Sequence, residues 1–173
     1  NTHSVSPLII AHNKEQTLEI NGDEFNQQIQ KVVKILYSFN GKCIAYKLDN
    51  TPAWLVIDAA TAVSNKVAVP IAHFFSEQQT QYVLAQCGAN LFISDTLSPL
   101  LGELTESITL FKCYTLYIYE IVVAKPVSYF PDTQKVTFTS GSTGQPKGVC
   151  LSAKSQMHVA QSLCDKINIK KPV

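Results

Sequence analysis

Ten consecutive residues, Thr139-Ser140-Gly141-Ser142-Thr143-Gly144-Gln145-Pro146-Lys147-Gly148, gather four hydroxyls, three of the chain's seven glycines and one lysine. Glycines admit positive φ and let a ligand approach the backbone with no Cβ in the way. Free N–H groups in such a loop form an anion-binding concavity, and Ser and Thr hydroxyls add donors. Lys147 adds a mobile point charge suited to a phosphate chain that moves during reaction. The chemistry these residue types support is the handling of a nucleotide polyphosphate.

Spacing separates this loop from three common ones. A G-x-x-x-x-G-K-[ST] phosphate loop needs Gly before the lysine and a hydroxyl after it, but Lys147 stands between Pro146 and Gly148. The glycines at 141, 144 and 148 do not make G-x-G-x-x-G, and no G-x-S-x-G nucleophile elbow is in register. The histidines His3, His12, His73 and His158 have no metal-ligand spacing and read as satisfied surface or core residues. The cysteines Cys43, Cys87, Cys113, Cys150 and Cys164 form no C-x-x-C pair and are odd in number, so each reads as a small buried hydrophobe.

The elements that must position the loop alternate. Residues 7–12 and 16–20 read as a hairpin turned at Asn13-Lys14-Glu15. Phe25, Ile29, Val32, Val33 and Leu36 mark one face of a helix capped by Asp23, with Gly41 just past its end. Strands follow at 43–48, 67–69, 91–93, 114–123 and 135–139. Between them lie a helix over 53–63 with Pro52 at its first position and one opened by a Ser76/Gln79 capping box and closed by Gly88. Asp49 reads as part of the cap before Pro52, and Tyr114, Tyr117 and Tyr119 as one side of an ordinary strand. Met157, Ala160, Leu163, Cys164 and Ile167 mark a final helix directly after the loop. Short apolar strands separated by helices predict an α/β fold, a mainly parallel sheet flanked by helices. The segment 124–132, with two prolines, is the linker, giving a first subdomain over 1–132 and a strand-loop-helix opening a second over 133–173.

Composition narrows the partners. The 173 residues carry 14 basic and 13 acidic groups, a net charge of +1, with no basic cluster that would hold nucleic acid. The hydrophobic share of 46% excludes disorder. No apolar stretch reaches the roughly 18 residues of a membrane span, and the first residues lack a secretory pattern. Together with the cysteine usage, this points to a reducing cytoplasm. Only 16% of the residues are charged, against roughly 25% in ordinary soluble domains, as expected of a surface partly covered by other protein.

The run Thr139 to Val149 resembles, without a gap, the phosphate-binding signature of the adenylate-forming superfamily: acyl-CoA synthetases, nonribosomal adenylation domains and luciferases. Leu48 to Trp54 resembles that family's strand-to-helix turn, and Val69-Pro70-Ile71 its strand end. Ser64-Asn65-Lys66 and Ala153 depart from its usual residues. Phe74-Phe75-Ser76 and Gly148 to Ser152 look most like acyl-CoA synthetases acting on fatty acids.

The resemblance implies that the intact protein activates a carboxylate with ATP and Mg2+ to an acyl-adenylate and passes the acyl group to CoA. It assigns the β- and γ-phosphates to Thr139, Ser140, Gly141, Ser142, Thr143, Gly144 and Lys147. It places the adenine site, the metal-coordinating Glu and the catalytic lysine beyond Val173, which leaves no catalytic or metal residue here. An adenylation domain loading a carrier protein and a non-catalytic nucleotide- or partner-binding module are the other readings. Two outcomes follow for the 173-residue chain. It forms no acyl-CoA when assayed alone, and it self-associates through its sparsely charged face. A strictly monomeric light-scattering profile contradicts the second.

Overall fold

The computed structural model describes residues 7–12, 17–98, 101–122, 127–139 and 145–167. Its elements are β1 (Ile9–His12), β2 (Thr17–Ile20), α1 (Gly22–Ser38), β3 (Cys43–Lys47), α2 (Pro52–Val63), β4 (Val67–Pro70), α3 (Glu77–Cys87), β5 (Leu91–Ser94), β6 (Glu103–Leu110), β7 (Tyr114–Glu120), β8 (Thr133–Thr139), β9 (Lys147–Ser152) and α4 (Ala153–Lys166). The turn at 13–15, the opening of the 124–132 linker and the loop core Ser140 to Gly144 lie outside the described residues.

β3 explains the layering. Its Cys-Ile-Ala-Tyr run is apolar at every position, and all four residues are buried. A strand with water on one face would alternate; a continuous apolar run fits a strand covered on both faces by crossover helices. Ile44 and Tyr46 face a core built with Val32, Val33 and Leu36 of α1 and Val56, Ile57 and Ala60 of α2. Cys43 and Ala45 face the opposite core, with Val83, Leu84 and Cys87 of α3 and Phe92 of β5.

The seven-stranded sheet has the order β6-β7-β5-β3-β4-β8-β9, while β1 and β2 form a separate hairpin. β5, β3, β4 and β8 run parallel, as expected from the alternation of strands and helices. The edges differ from a mainly parallel sheet. β7 and β6 continue one side antiparallel and β9 the other. The β6–β7 hairpin turns through Phe111 (φ 49°) and Lys112 (φ 60°), with the Cys113 N–H donating to the Leu110 carbonyl at 3.1 Å. Two positive φ angles normally select Asn or Gly. Here burial of Phe111, edge-on to Tyr114 at 6.3 Å, offsets the strain.

Local signals are realised with small shifts. Asn21, not Asp23, caps α1: its Oδ1 accepts the Glu24 N–H at 2.8 Å, and Asp23 sits in the first turn beside the positive helix end. The Ser76/Gln79 capping box and the left-handed Gly88 close α3 at both ends. Cys43 and Cys87 are buried, but Cys113, Cys150 and Cys164 are exposed, so small-hydrophobe packing accounts for only two of the five.

Phe92 is fully buried on the α3 face, with its ring centroid 6.0 Å from that of Tyr119. Phe92→Ala should lower stability by roughly 3–5 kcal/mol in a denaturant titration. A loss below about 1 kcal/mol would mean that this face is not packed as a core.

Candidate functional site

Parallel strands put their carboxyl ends on one edge, and the chain leaves β3, β4, β5 and β8 there. α2 and α3 lie on opposite faces, so the chain leaving β3 turns to one face and the chain leaving the adjacent β4 turns to the other. That divergence makes the carboxyl ends of β3 and β4 the switch point of the sheet, the place where ligands of open α/β sheets bind. β8 reaches the same edge and overshoots it. Lys135 is level with Ala68, so Thr139 stands two residues past the end of β4, about 7 Å at the rise of a strand.

The two described ends of the hydroxyl- and glycine-rich segment, Thr139 and Lys147, face each other as an antiparallel pair. Both are exposed, which places a hydroxyl and an ammonium group at the mouth of the hairpin. The strand-loop-helix order expected from the sequence is therefore corrected. A strand, β9, separates the loop from α4, and the helix begins only at Ala153. Gly148 is explained by this pairing. A Cβ there would lie 3.0 Å from Phe138 Cζ and 3.1 Å from Val136 Cγ1, so the Phe138 ring occupies the space that a side chain would fill. A cavity of about 350 Å³ lies beside Lys147, between α3 and the hairpin, lined by Tyr82, Tyr129, Phe130, Phe138 and Pro146.

The same edge gathers Asp49, which the sequence assigned to a cap, His73, which it read as an isolated histidine, and Asp95, which it did not single out. Asp49 does not cap α2; Thr51 holds the cap position, with no side-chain hydrogen bond, and the Asp49 carboxylate lies 3.4 Å from His73 Nε2. Asp95 Oδ2 accepts the Asp49 N–H at 2.6 Å, and Lys47 Nζ donates to the Phe75 carbonyl at 2.5 Å. Neither His73 nor Asp95 carries a motif of its own; only the topology brings them together. On the α3 face, the neighbouring Cys87 thiol holds Cys43 below the ordinary thiol range, while the neighbouring Cys43, followed by burial, pushes Cys87 above it; Cys87 Sγ donates to the Leu84 carbonyl at 3.6 Å. Burial, followed by the neighbouring Cys43, pushes the Tyr129 phenol up. Cys43 is 1% exposed, closed to any external reactant. Among the described residues, no group of three His, Cys, Asp or Glu side chains could hold a metal ion, and no helix is long and apolar enough to cross a membrane.

Comparison with known proteins adds a family match. The sequence model described as AMP-binding enzyme matches residues 9–171. A hybrid PKS-NRPS synthetase of Xenoacremonium sinensis is 27% identical over 93% of this chain and 4% of its own length. A long-chain-fatty-acid–CoA ligase of Gallus gallus is 27% identical over 68% of this chain and 19% of its own. In structure, the chain resembles the O-succinylbenzoate coenzyme A synthetase of Bacillus subtilis, solved with AMP, with a TM-score of 0.66 and 17% identity over 93% of this chain and 43% of that one. The same enzyme solved with ATP and magnesium ion gives a TM-score of 0.64 over 94% of this chain and 44% of that one. The chain thus spans well under half the length of these relatives.

The packing at Gly148 yields a steric test. Gly148→Val should destabilise the β8–β9 hairpin by roughly 1–3 kcal/mol through overpacking, read as a lower denaturation midpoint. Removing the obstructing ring in Gly148→Val/Phe138→Ala should recover part of that loss. An unchanged midpoint for Gly148→Val contradicts the packing described.

Proposed function

This chain belongs to the AMP-binding enzyme family, and from that premise we propose that it is the phosphate-handling part of a ligase that activates a carboxylic acid with ATP as an acyl-adenylate and releases pyrophosphate. The observation that carries this reading is the uninterrupted Thr139 to Val149 motif on a hairpin that overshoots the carboxyl edge of a parallel sheet.

The role of the chain's own residues follows from where charge develops. Attack of a carboxylate at the α-phosphorus places growing negative charge on the departing pyrophosphate, and fixed donors there lower the barrier. Ser140, Gly141, Ser142, Thr143 and Gly144 supply N–H groups and hydroxyls, with Thr139 and Lys147 at the two ends. The exposed Thr139 hydroxyl and Lys147 ammonium are chemically suited to phosphate oxygens. The described residues offer no three-ligand cage for Mg2+, so no metal role is assigned to them. Magnesium ions that serve ATP chemistry are held largely by substrate phosphates and water.

CoA as acceptor and a fatty acid as substrate are supported by the likeness to the long-chain-fatty-acid–CoA ligase. Loading of a carrier protein is the second reading, supported by the synthetase match, which covers more of this chain, 93% against 68%. We also propose a subdomain boundary near residue 132, a cytoplasmic location and self-association of the isolated chain. The exposed apolar residues of α4 (Met157, Val159 and Leu163) support the last of these.

The test is ATP–pyrophosphate exchange with a panel of carboxylates, using the longest natural protein that carries this chain. Lys147→Ala should lower the exchange rate by roughly 10²-fold, with a smaller effect on the KM for the carboxylate. An unchanged exchange rate would remove Lys147 from the phosphate site.

A further inference from the structure

β8 carries the phosphate motif, yet its backbone joins the parallel sheet through one pair, Ala68 with Lys135. Along its other side it pairs with β9 from Thr133 opposite Ser152 to Thr139 opposite Lys147. The hairpin therefore joins the rest of the sheet along β4, with Lys135 at the paired position. Slippage by one residue would exchange the faces of β8, turning Lys135 and Val136 to the wrong sides.

The side chain of Lys135, the residue paired with Ala68, adds a second tie to that backbone pairing. Lys135 Nζ lies 2.7 Å from Oδ1 and 2.9 Å from Oδ2 of Asp58, gripping both oxygens of a carboxylate carried by α2. Asp58 is fixed in turn: Tyr46 of β3 donates its hydroxyl to Oδ1 at 2.5 Å. Burial, followed by the adjacent Asp58 charge, pushes the Tyr46 phenol up, so it remains a proton donor. Trp54 closes the corner, with its ring centroid 5.8 Å from the Lys135 ammonium and 5.8 Å from the Tyr46 ring centroid, the two rings nearly perpendicular. The side chains of Lys135 and Asp58 are only 16% and 26% exposed, so solvent screens the pair weakly, and loss of either member leaves the other charge uncompensated. On the opposite face, the neighbouring Val136 is buried in the α3 core.

We infer that the Asp58–Lys135 pair is a latch that fixes the register of β8 on the parallel sheet and so positions Thr139 and Lys147, the described ends of the phosphate loop. Both are positioning residues that act through the strand. The inference rests on the phosphate reading of that loop and names what aims it.

The test uses the 173-residue chain, in which Trp54 is the only tryptophan. Lys135→Met keeps the aliphatic stem and removes the charge. Asp58→Asn keeps an acceptor for Tyr46 and serves if Lys135→Met does not fold. Lys135→Arg restores the charge, and Lys31→Met, which removes a distant hydrogen bond to the Thr109 carbonyl, is the control. Amide hydrogen exchange should quicken by about tenfold in β8 and β9 of the first two variants, with β5 and α3 unaffected. Trp54 emission should shift, and inorganic tripolyphosphate should bind about tenfold more weakly by calorimetry. Lys135→Arg should return all three readouts towards the parent, and Lys31→Met should move none. Unchanged exchange in β8 of a folded variant overturns the latch. Faster exchange with unchanged tripolyphosphate affinity overturns its positioning of the loop. If the parent chain does not bind tripolyphosphate, the phosphate reading fails, and the exchange arm decides the latch alone.

Discussion

The carboxylate of Asp58 is the point where the three layers around the loop meet. It is carried by the helix that crosses from β3 to β4, it accepts a hydrogen bond from the central strand through Tyr46, and it grips the strand that delivers the loop through Lys135. Desolvating a carboxylate is costly, and a partly buried ion pair often adds little net stability compared with apolar packing. What the arrangement adds is direction. Burial of Val136 on the α3 face already opposes a one-residue slip of β8, which would turn that side chain out of its core. The ion pair adds a tie on the opposite face, between β8 and α2, so the strand is held from both sides.

The extension of β8 past the end of β4 is what makes the site. The switch point between β3 and β4 exists because their crossovers go to opposite faces, a consequence of handedness that needs no particular residue. The groups around it are modest: an exposed Asp49–His73 pair, the Asp95 carboxylate on a backbone N–H and a lysine tied to a carbonyl. Phosphate chemistry has to be brought to it by β8, which projects beyond β4. Near-neutral overall charge fits this division of labour, since a site made of backbone N–H groups, hydroxyls and one lysine needs no basic surface.

The central strands were legible in the sequence because each is a short apolar run bounded by turn or cap residues, and α3 because its capping box and terminal Gly88 are local signals. The antiparallel edges were not. β6 (Glu103–Leu110) carries Glu, Thr and Ser along its exposed half, and its turn uses Phe111 and Lys112 where hairpin signals are Asn and Gly. β9 hides a glycine in its interior and merges with the cap of α4, so its short Val149-Cys150-Leu151 run carries only a weak local signal and its pairing with β8 decides the strand. The loop motif itself was legible as chemistry, since residue types at fixed spacing carry it. The Asp49–His73 and Asp58–Lys135 pairs were invisible for the converse reason: their members are 24 and 77 residues apart in the chain, and only the β3–β4 and β4–β8 neighbourhoods join them.

The strand inserted after the loop also changes the electrostatics of the site. Where a phosphate loop runs directly into a helix, the helix N-terminus lends its N–H groups and partial positive charge to the anion. Here β9 carries the chain through six residues, about 20 Å at the rise of a strand, before α4 begins. Helix-end fields fade within the first turn, so α4 contributes nothing at Lys147. The cap of α4 is met internally instead, by Ser152 accepting the Ser155 N–H at 3.2 Å. On the proposed phosphate reading, the charged group that the described residues offer is Lys147, held opposite Thr139 by the hairpin. A lysine on a strand end can follow a leaving group within a limited arc while its backbone stays fixed. Gly148 keeps the β8–β9 pairing uncrowded, because a Cβ there would lie 3.0 Å from Phe138 Cζ and press on the ring next to the lysine.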